Sequence, residues 1–146
     1  MLREAFPDTV VGIKDSDGKI ENMQAMAATF PDFGVLAGAD PLLLPVLQAG
    51  GAGCITASSN VVARELRTVY DHWNDPAKAD EVKAAQGTIV AWRNLTNAYV
   101  QLPTVKTMLA RRRGDLGWLH VHPPFTPLSE PEREAVWAEM ARLESV

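Results

Sequence analysis

Lys14 is the residue of this chain whose type and position best suit chemistry. It follows the β-branched run Thr9–Ile13 and precedes the turn sequence Asp15–Gly18. Such a run predicts a buried strand, and the turn residues predict its end. The amine is then carried to the carboxyl end of a strand, where α/β folds place their chemistry. Apolar walls there disfavour the ammonium form, and a neutral amine attacks a ketone to form a Schiff base. The alternative is a solvated lysine at a strand end.

A second group of polar residues follows another short apolar run. Thr56, Ser58 and Ser59 carry hydroxyls that could act as nucleophiles, but no partner base stands near them in the sequence. We expect them to line a strand end, with Asn60 capping the helix that follows. Cys54 lies within the run itself and is expected to be a buried, small apolar residue.

Metal binding and nucleic-acid binding find little support. His120 and His122 alternate beside prolines, and no carboxylate or cysteine at ligand spacing joins them. A metal site needs three or four convergent ligands, so we expect none. The basic triplet at residues 111–113 sits at a predicted helix end, where positive charge complements the helix macrodipole. The four tryptophans are expected to pack among the helices, at positions 73, 92, 118 and 137.

Composition indicates one ordinary globular unit. The 146 residues are 47% hydrophobic and 22% charged, with a net charge of −4 that favours neither nucleic acid nor an acidic membrane surface. Residues 41–57 are apolar but are broken by proline and glycine, which predicts helix, turn and strand rather than a membrane span. A single cysteine fits a reducing compartment, and residues 1–6 suggest the last turns of a helix rather than a secretory leader. We therefore expect a cytoplasmic protein.

The elements that must position these residues alternate over the first 60 positions. Apolar runs predict strands at 9–14, 33–38 and 53–58, and helical spacing predicts helices at 20–30 and 41–48. Alternation of this kind predicts a parallel sheet with right-handed crossovers, an α/β fold. Only helices are predicted after residue 59, and they span 60–73, 77–99, 103–113 and a last segment from Ser129 or Glu130. A Gly- and Pro-rich loop at 114–129 opens on Gly114, a predicted helix stop.

Five segments, in order, resemble one known family. Gly12–Gly18 resembles the Schiff-base lysine motif of the dihydrodipicolinate synthase / N-acetylneuraminate lyase family. Leu36–Asp40 and Gly50–Val61 are similar to the segments around that family's seventh and eighth strands. Leu102–Lys106 and Pro123–Leu128 resemble parts of its helical extension. Several motifs in register are far more specific than a lone lysine.

The resemblance implies a class I aldolase or lyase on a TIM barrel. Members hold pyruvate, or a 2-oxo acid that releases it, as a Schiff base. By similarity Lys14 is the imine-forming residue, and Gly38 and Ile55 line the pyruvate pocket, mainly through close approach of the backbone. For Gly38 an ordinary strand-to-helix turn is an equal alternative. The family implies no metal and no cofactor, a cytoplasmic homo-oligomer, and no nucleic-acid or membrane partner.

The departures from the family are as informative. Its catalytic tyrosine and its Thr-Thr pair are not in this chain, whose tyrosines, Tyr70 and Tyr99, fall in predicted helices. A complete barrel has eight β/α units and about 250 residues. We therefore expect residues 1–63 to be strands six to eight of a barrel and 64–146 to be the helical extension. The enzyme would be complete only with an N-terminal half, and the alternative is a non-catalytic fragment or interaction module.

Overall fold

Three short parallel strands form the sheet that carries Lys14. The computed structural model describes residues 2–145, so Met1 and Val146, the outer limits of the two predicted segments, lie outside it. The strands are β1 (Gly12–Asp15), β2 (Gly34–Ala37) and β3 (Gly53–Cys54), in that order across the sheet. The predicted parallel α/β arrangement is confirmed, with strands shorter than the apolar runs that predicted them.

Helices on one side of the sheet build a small core. They are α2 (Ile20–Thr29) and α3 (Leu43–Gln48), the latter preceded by a 3₁₀ turn at Asp40–Leu42, whereas α1 (Leu2–Ala5) contributes no buried residue. Side chains along a strand alternate between the two faces of a sheet. On β2, Val35 and Ala37 therefore point the same way, and both are fully buried in a cluster with Met23 and Val46.

The remaining chain is helical, and its main core joins it to the β/α segment. The helices are α4 (Ser59–His72), α5 (Ala79–Thr96), α6 (Gln101–Arg113) and α7 (Glu130–Glu144), with 3₁₀ turns at Pro76–Lys78 and Leu116–Leu119. The apolar residues of α5 recur at helical spacing, and those at positions 82, 85, 89, 92 and 95 are all buried. Leu43 and Leu47 of α3 belong to the same cluster. The boundary at residues 63 and 64 remains a prediction.

Two predicted helix starts are wrong. Helix α4 begins at Ser59, and the Asn60 amide donates to Ala57 O at 2.9 Å instead of accepting from the helix N–H groups. Val62 then departs from helical angles, with φ −129° and ψ 31°. Helix α6 begins at Gln101, two residues before the predicted Pro103. The first turn of a helix tolerates proline because its N–H groups have no intrahelical partner.

The predicted burial of the first strand is also wrong within this chain. Val11 is 60% exposed and Ile13 is 41% exposed. β1 pairs with β2 on one side only, so its other edge is open. Apolar runs are typical of parallel strands covered on both faces. Residues 2–145 supply only part of that cover.

The basic triplet does more than complement a helix end. It occupies the last turn of α6, and Gly114 follows with the left-handed φ of 63° that the sequence predicted. The Arg112 guanidinium lies 4.4 Å from the centre of the Trp92 ring and donates to Val61 O. It therefore ties α6 to α5 and α4. Trp118 departs from the predicted packing, because it is 36% exposed. No helix within residues 2–145 is both long enough and apolar enough to cross a membrane.

Candidate active site

Lys14 lies on the face of the sheet opposite α2 and α3. The register pairs it with Leu36, which alternates with the buried Val35 and Ala37 of the same strand. Its side chain is exposed, so the apolar walls expected around it are not supplied by this chain. The amine is thus placed at the carboxyl end of β1, as predicted.

The turn after Lys14 is built by its own side chains. The Asp15 carboxylate accepts from the Asp17 N–H at 2.8 Å, and the Asn22 amide donates to Asp17 at 2.6 Å. Gly18 has a φ of 81°, a conformation that glycine adopts without strain. The predicted turn is confirmed, and these bonds fix the direction in which the chain leaves the strand.

Gly38 and Ile55 lie directly after the two neighbouring strands. Leu36 pairs with Gly53 and Ala37 with Cys54, so one further step places Gly38 beside Ile55. Both backbone N–H groups extend the ladder: Gly38 donates to Asp15 O at 2.7 Å, and Ile55 donates to Ala37 O at 2.9 Å. The Ile55 side chain is 53% exposed and offers an apolar surface at this edge.

The glycine at position 38 is required by the packing of the chain itself. A Cβ there would lie 2.6 Å from Asp15 O and 2.9 Å from the Ser16 Cα. Backbone atoms cannot yield as a flexible side chain does. A valine side chain at position 38 would therefore displace the end of β1, whatever part Gly38 plays toward a ligand.

A buried carboxylate that sequence reasoning missed lies two residues further on. Asp40 has no exposed surface. The Thr56 hydroxyl donates to its Oδ1, and the Ser58 hydroxyl donates to its Oδ2 at 2.6 Å. The polar lining predicted for the third strand end thus has a specific acceptor. The signal lay in an Asp after one strand and hydroxyls after the next, since the carboxyl ends of adjacent parallel strands meet.

The helical extension completes this group. Arg93 Nη1 of α5 lies 3.4 Å from Asp40 Oδ2 and 3.3 Å from the Ser58 hydroxyl. The Thr96 hydroxyl lies 3.4 Å from Ser58 Oγ and donates to Arg93 O at 2.8 Å. A buried carboxylate needs such partners, because desolvating a charge without them is costly. We call these residues the Asp40 cluster: Asp40, Thr56, Ser58, Arg93 and Thr96.

Cys54 is adjacent to this cluster and is unsuited to nucleophilic chemistry. Burial, with the negative charge of Asp40 as a smaller cause, raises the pKa of its thiol to about 11. The thiolate is the reactive form, so the group is largely protonated at neutral pH. It packs against both apolar clusters, as expected of a small apolar residue, but it is only half-buried.

Metal-binding side chains do not converge in the part of the chain that the structure describes. Among residues 2–145, no three His, Cys, Asp or Glu side chains are grouped to hold a metal ion. His120 Nδ1 lies 3.2 Å from Gly117 O, within its own loop.

Known proteins are similar to this chain in sequence and in fold. The 4-hydroxy-tetrahydrodipicolinate synthase of Bacillus subtilis (strain 168) is 30% identical over 135 residues, which cover 92% of this chain and 46% of that protein. The crystal structure of dihydrodipicolinate synthase DapA-2 from Bacillus anthracis has a TM-score of 0.82 at 25% identity, covering 99% of this chain and 48% of that one. YagE from E. coli K12, solved in complex with pyruvate, has a TM-score of 0.78 at 24% identity, covering 92% and 46%.

The relationship extends over nearly all of the described residues. This chain spans about half the length of the curated relatives it matches. The model of the dihydrodipicolinate synthetase family matches residues 3–143. The resemblance carried by the lysine motif is thereby confirmed, and the chain belongs to the dihydrodipicolinate synthetase family.

Proposed function

We propose that this chain is the carboxyl-terminal half of a class I lyase in which Lys14 forms a Schiff base with pyruvate, or with a 2-oxo acid that releases it. The observation that carries the proposal is the placement of Lys14. It stands at the carboxyl end of β1, on the face away from α2 and α3, in a chain that belongs to this family. Gly38 and Ile55, after the two neighbouring strands, line the same edge.

In the proposed reaction the Lys14 amine is the nucleophile, and the imine that it forms is the electron sink. The neutral Lys14 amine attacks the keto carbon, and water leaves as the imine forms. The protonated imine withdraws electrons, so the methyl carbon of pyruvate loses a proton and becomes the enamine carbon. That carbon attacks an aldehyde carbonyl to form the C–C bond, water hydrolyses the new imine, and the reverse sequence cleaves the bond. The name of the Bacillus subtilis relative and the pyruvate bound to YagE are consistent with this substrate class.

The enzyme would be complete only with a partner half that supplies the other barrel strands. The three strands would then be strands six to eight of a TIM barrel, closed by five further β/α units. Both outer strands of the sheet have open edges, and an apolar cleft of about 330 Å³ lies beside β3. We further propose a cytoplasmic homo-oligomer that needs no cofactor.

Trapping the imine tests the proposal directly. The chain, supplied with the five preceding β/α units, is incubated with pyruvate and borohydride, and its peptides are mapped by mass. We expect one reduced adduct, on Lys14. Lys14→Arg should abolish it because guanidinium stays protonated, whereas the matched control Lys19→Arg should retain it.

Two outcomes would contradict the proposal. One is an adduct on Lys19 or Lys106 instead of Lys14. The other is no adduct in a closed barrel, which would favour the alternative function of a non-catalytic fragment or interaction module.

A further inference from the structure

The Asp40 cluster is centred on a buried carboxylate that the proposed reaction leaves without a task. Its carboxylate is wholly buried and cannot reach a substrate without rearrangement. It accepts hydrogen bonds from Thr56 and Ser58, both after β3, while its own backbone continues the chain after β2. One side chain thus clamps together the two strand ends that carry Gly38 and Ile55.

The connections along the chain are short. Gly38 is two residues from Asp40, and Ile55 is the direct neighbour of Thr56. The Gly38 N–H in turn bonds Asp15 O, which directly follows Lys14. The relative position of the three segments around the proposed keto-acid site therefore depends on the bonds that Asp40 accepts.

We propose that Asp40 is a positioning residue for the keto-acid site, a role that rests on the proposed function. Through Thr56 and Ser58 it holds the ends of β2 and β3 in register with Lys14, and Arg93 of the helical extension holds it in place. Arg93 lies in α5, 53 positions further along the chain, and is itself mostly covered. The helical extension thereby supports the substrate end of the barrel as well as its core.

The test removes the hydroxyl that donates to Asp40 as well as the Asp40 charge, each in a separate variant. Thr56→Val deletes a donor to Asp40, and Thr56→Ser keeps it. Thr104→Val is the matched control, since it deletes a buried hydroxyl of α6 that donates to the carbonyl of Val100, the residue before that helix. Asp40→Asn is the fourth variant, because it replaces one of the two accepting carboxylate oxygens with an amide nitrogen, which donates. All are made in the protein completed with the preceding β/α units.

The measured quantity is the pyruvate concentration that half-saturates borohydride trapping on Lys14. Losing a hydrogen bond to a charged group should raise it about tenfold or more in Thr56→Val and Asp40→Asn. The trapping rate at saturating pyruvate should change far less. Thr56→Ser and Thr104→Val should stay near the wild-type concentration, even where Thr104→Val lowers the melting temperature.

Two outcomes overturn the positioning role. In the first, a folded Thr56→Val protein keeps the wild-type half-saturating pyruvate concentration, so the Thr56–Asp40 bond does not position the site. In the second, Thr104→Val raises that concentration equally, so the effect is a general loss of stability. If Asp40→Asn does not fold, the two Thr56 variants decide alone. If wild type forms no adduct, the proposed function fails separately. Amide exchange at Gly38 and Ile55 then tests positioning, which requires faster exchange in Thr56→Val than in Thr56→Ser.

Discussion

At the scale of single residues, the missing side chain of Gly38 decides how closely β1 and β2 end together. Its N–H donates to Asp15 O at 2.7 Å, and a Cβ would lie 2.6 Å from that same oxygen. A methyl group there must push the end of β1 away. The residue after Lys14 moves with it, so the position of the amine depends on this glycine.

We therefore predict that Gly38→Ala is destabilising and also lowers imine formation on Lys14. Overpacking a tight site costs roughly 1–3 kcal/mol. Gly87→Ala is the control with the opposite sign: it lies within α5 with nothing within 4 Å of a new Cβ, and alanine there should stabilise by roughly 0.5–1 kcal/mol. Urea unfolding of the completed protein measures the stability of both variants. Equal midpoints for wild type and Gly38→Ala would contradict the packing argument.

At the scale of elements, the start of α7 depends on one carboxylate. Glu132 accepts from the Ser129 N–H at 2.8 Å and from the Ser129 hydroxyl at 2.7 Å. These hydrogen bonds, the hydroxyl's first, lower the pKa of Glu132 below its ordinary 4.5. The carboxylate thereby gives a partner to the backbone N–H of the residue that precedes the helix, as the glutamate of a capping box does. Helix α7 supplies the buried Val136 and Met140 to the core.

We predict that this helix start loses its support in acid. A carboxyl whose folded pKa is lowered stabilises the fold above its unfolded pKa, near 4.5, and the effect vanishes as the pH falls through the lower folded value. Glu132→Gln should weaken the pH dependence of the thermal midpoint across this range, and the control Glu134→Gln should not. Ser129→Ala should lower the midpoint at neutral pH by about 2–4 °C. Unchanged pH dependence in Glu132→Gln would refute the prediction.

At the scale of the whole molecule, both edges of the sheet are open to pairing with further strands. β1 and β3 are both outer strands, and Val11, Ile13 and Ile55 expose apolar side chains next to them. Open strand edges template pairing with other chains. Two copies of residues 2–145 would supply six strands, fewer than the eight of a closed barrel.

We predict that the chain alone self-associates and has negligible aldol turnover. General acid–base groups typically contribute about 10²–10⁴-fold, and under the proposed function the tyrosine for this task belongs to the preceding β/α units. Adding the five preceding β/α units should produce a compact species that binds pyruvate. Light scattering after gel filtration, together with turnover of a 2-oxo acid aldol, measures both. Robust activity from a monodisperse sample of the chain alone would refute this.

Much of the fold could be predicted from local patterns. The apolar stripe of α5, the turn at Asp15–Gly18 and the helix stop at Gly114 depend on periodicity or on one residue's backbone preference. Lys14 could be placed at a strand end for the same reason. The helix starts at Ser59 and Gln101 could not, because several residues near each start are compatible with a cap.

The sequence by itself thus determined the order of strands and helices, the family, and the strand end that holds the candidate amine. Only the tertiary structure decided that Asp40 is buried against Thr56, Ser58 and Arg93, and that Lys14 is exposed. Spacing along the chain carries the period of a strand or helix, which is a local property. The partners of a buried charge, and the cover over a strand, come from segments far apart in sequence, so they are decided only when those segments pack.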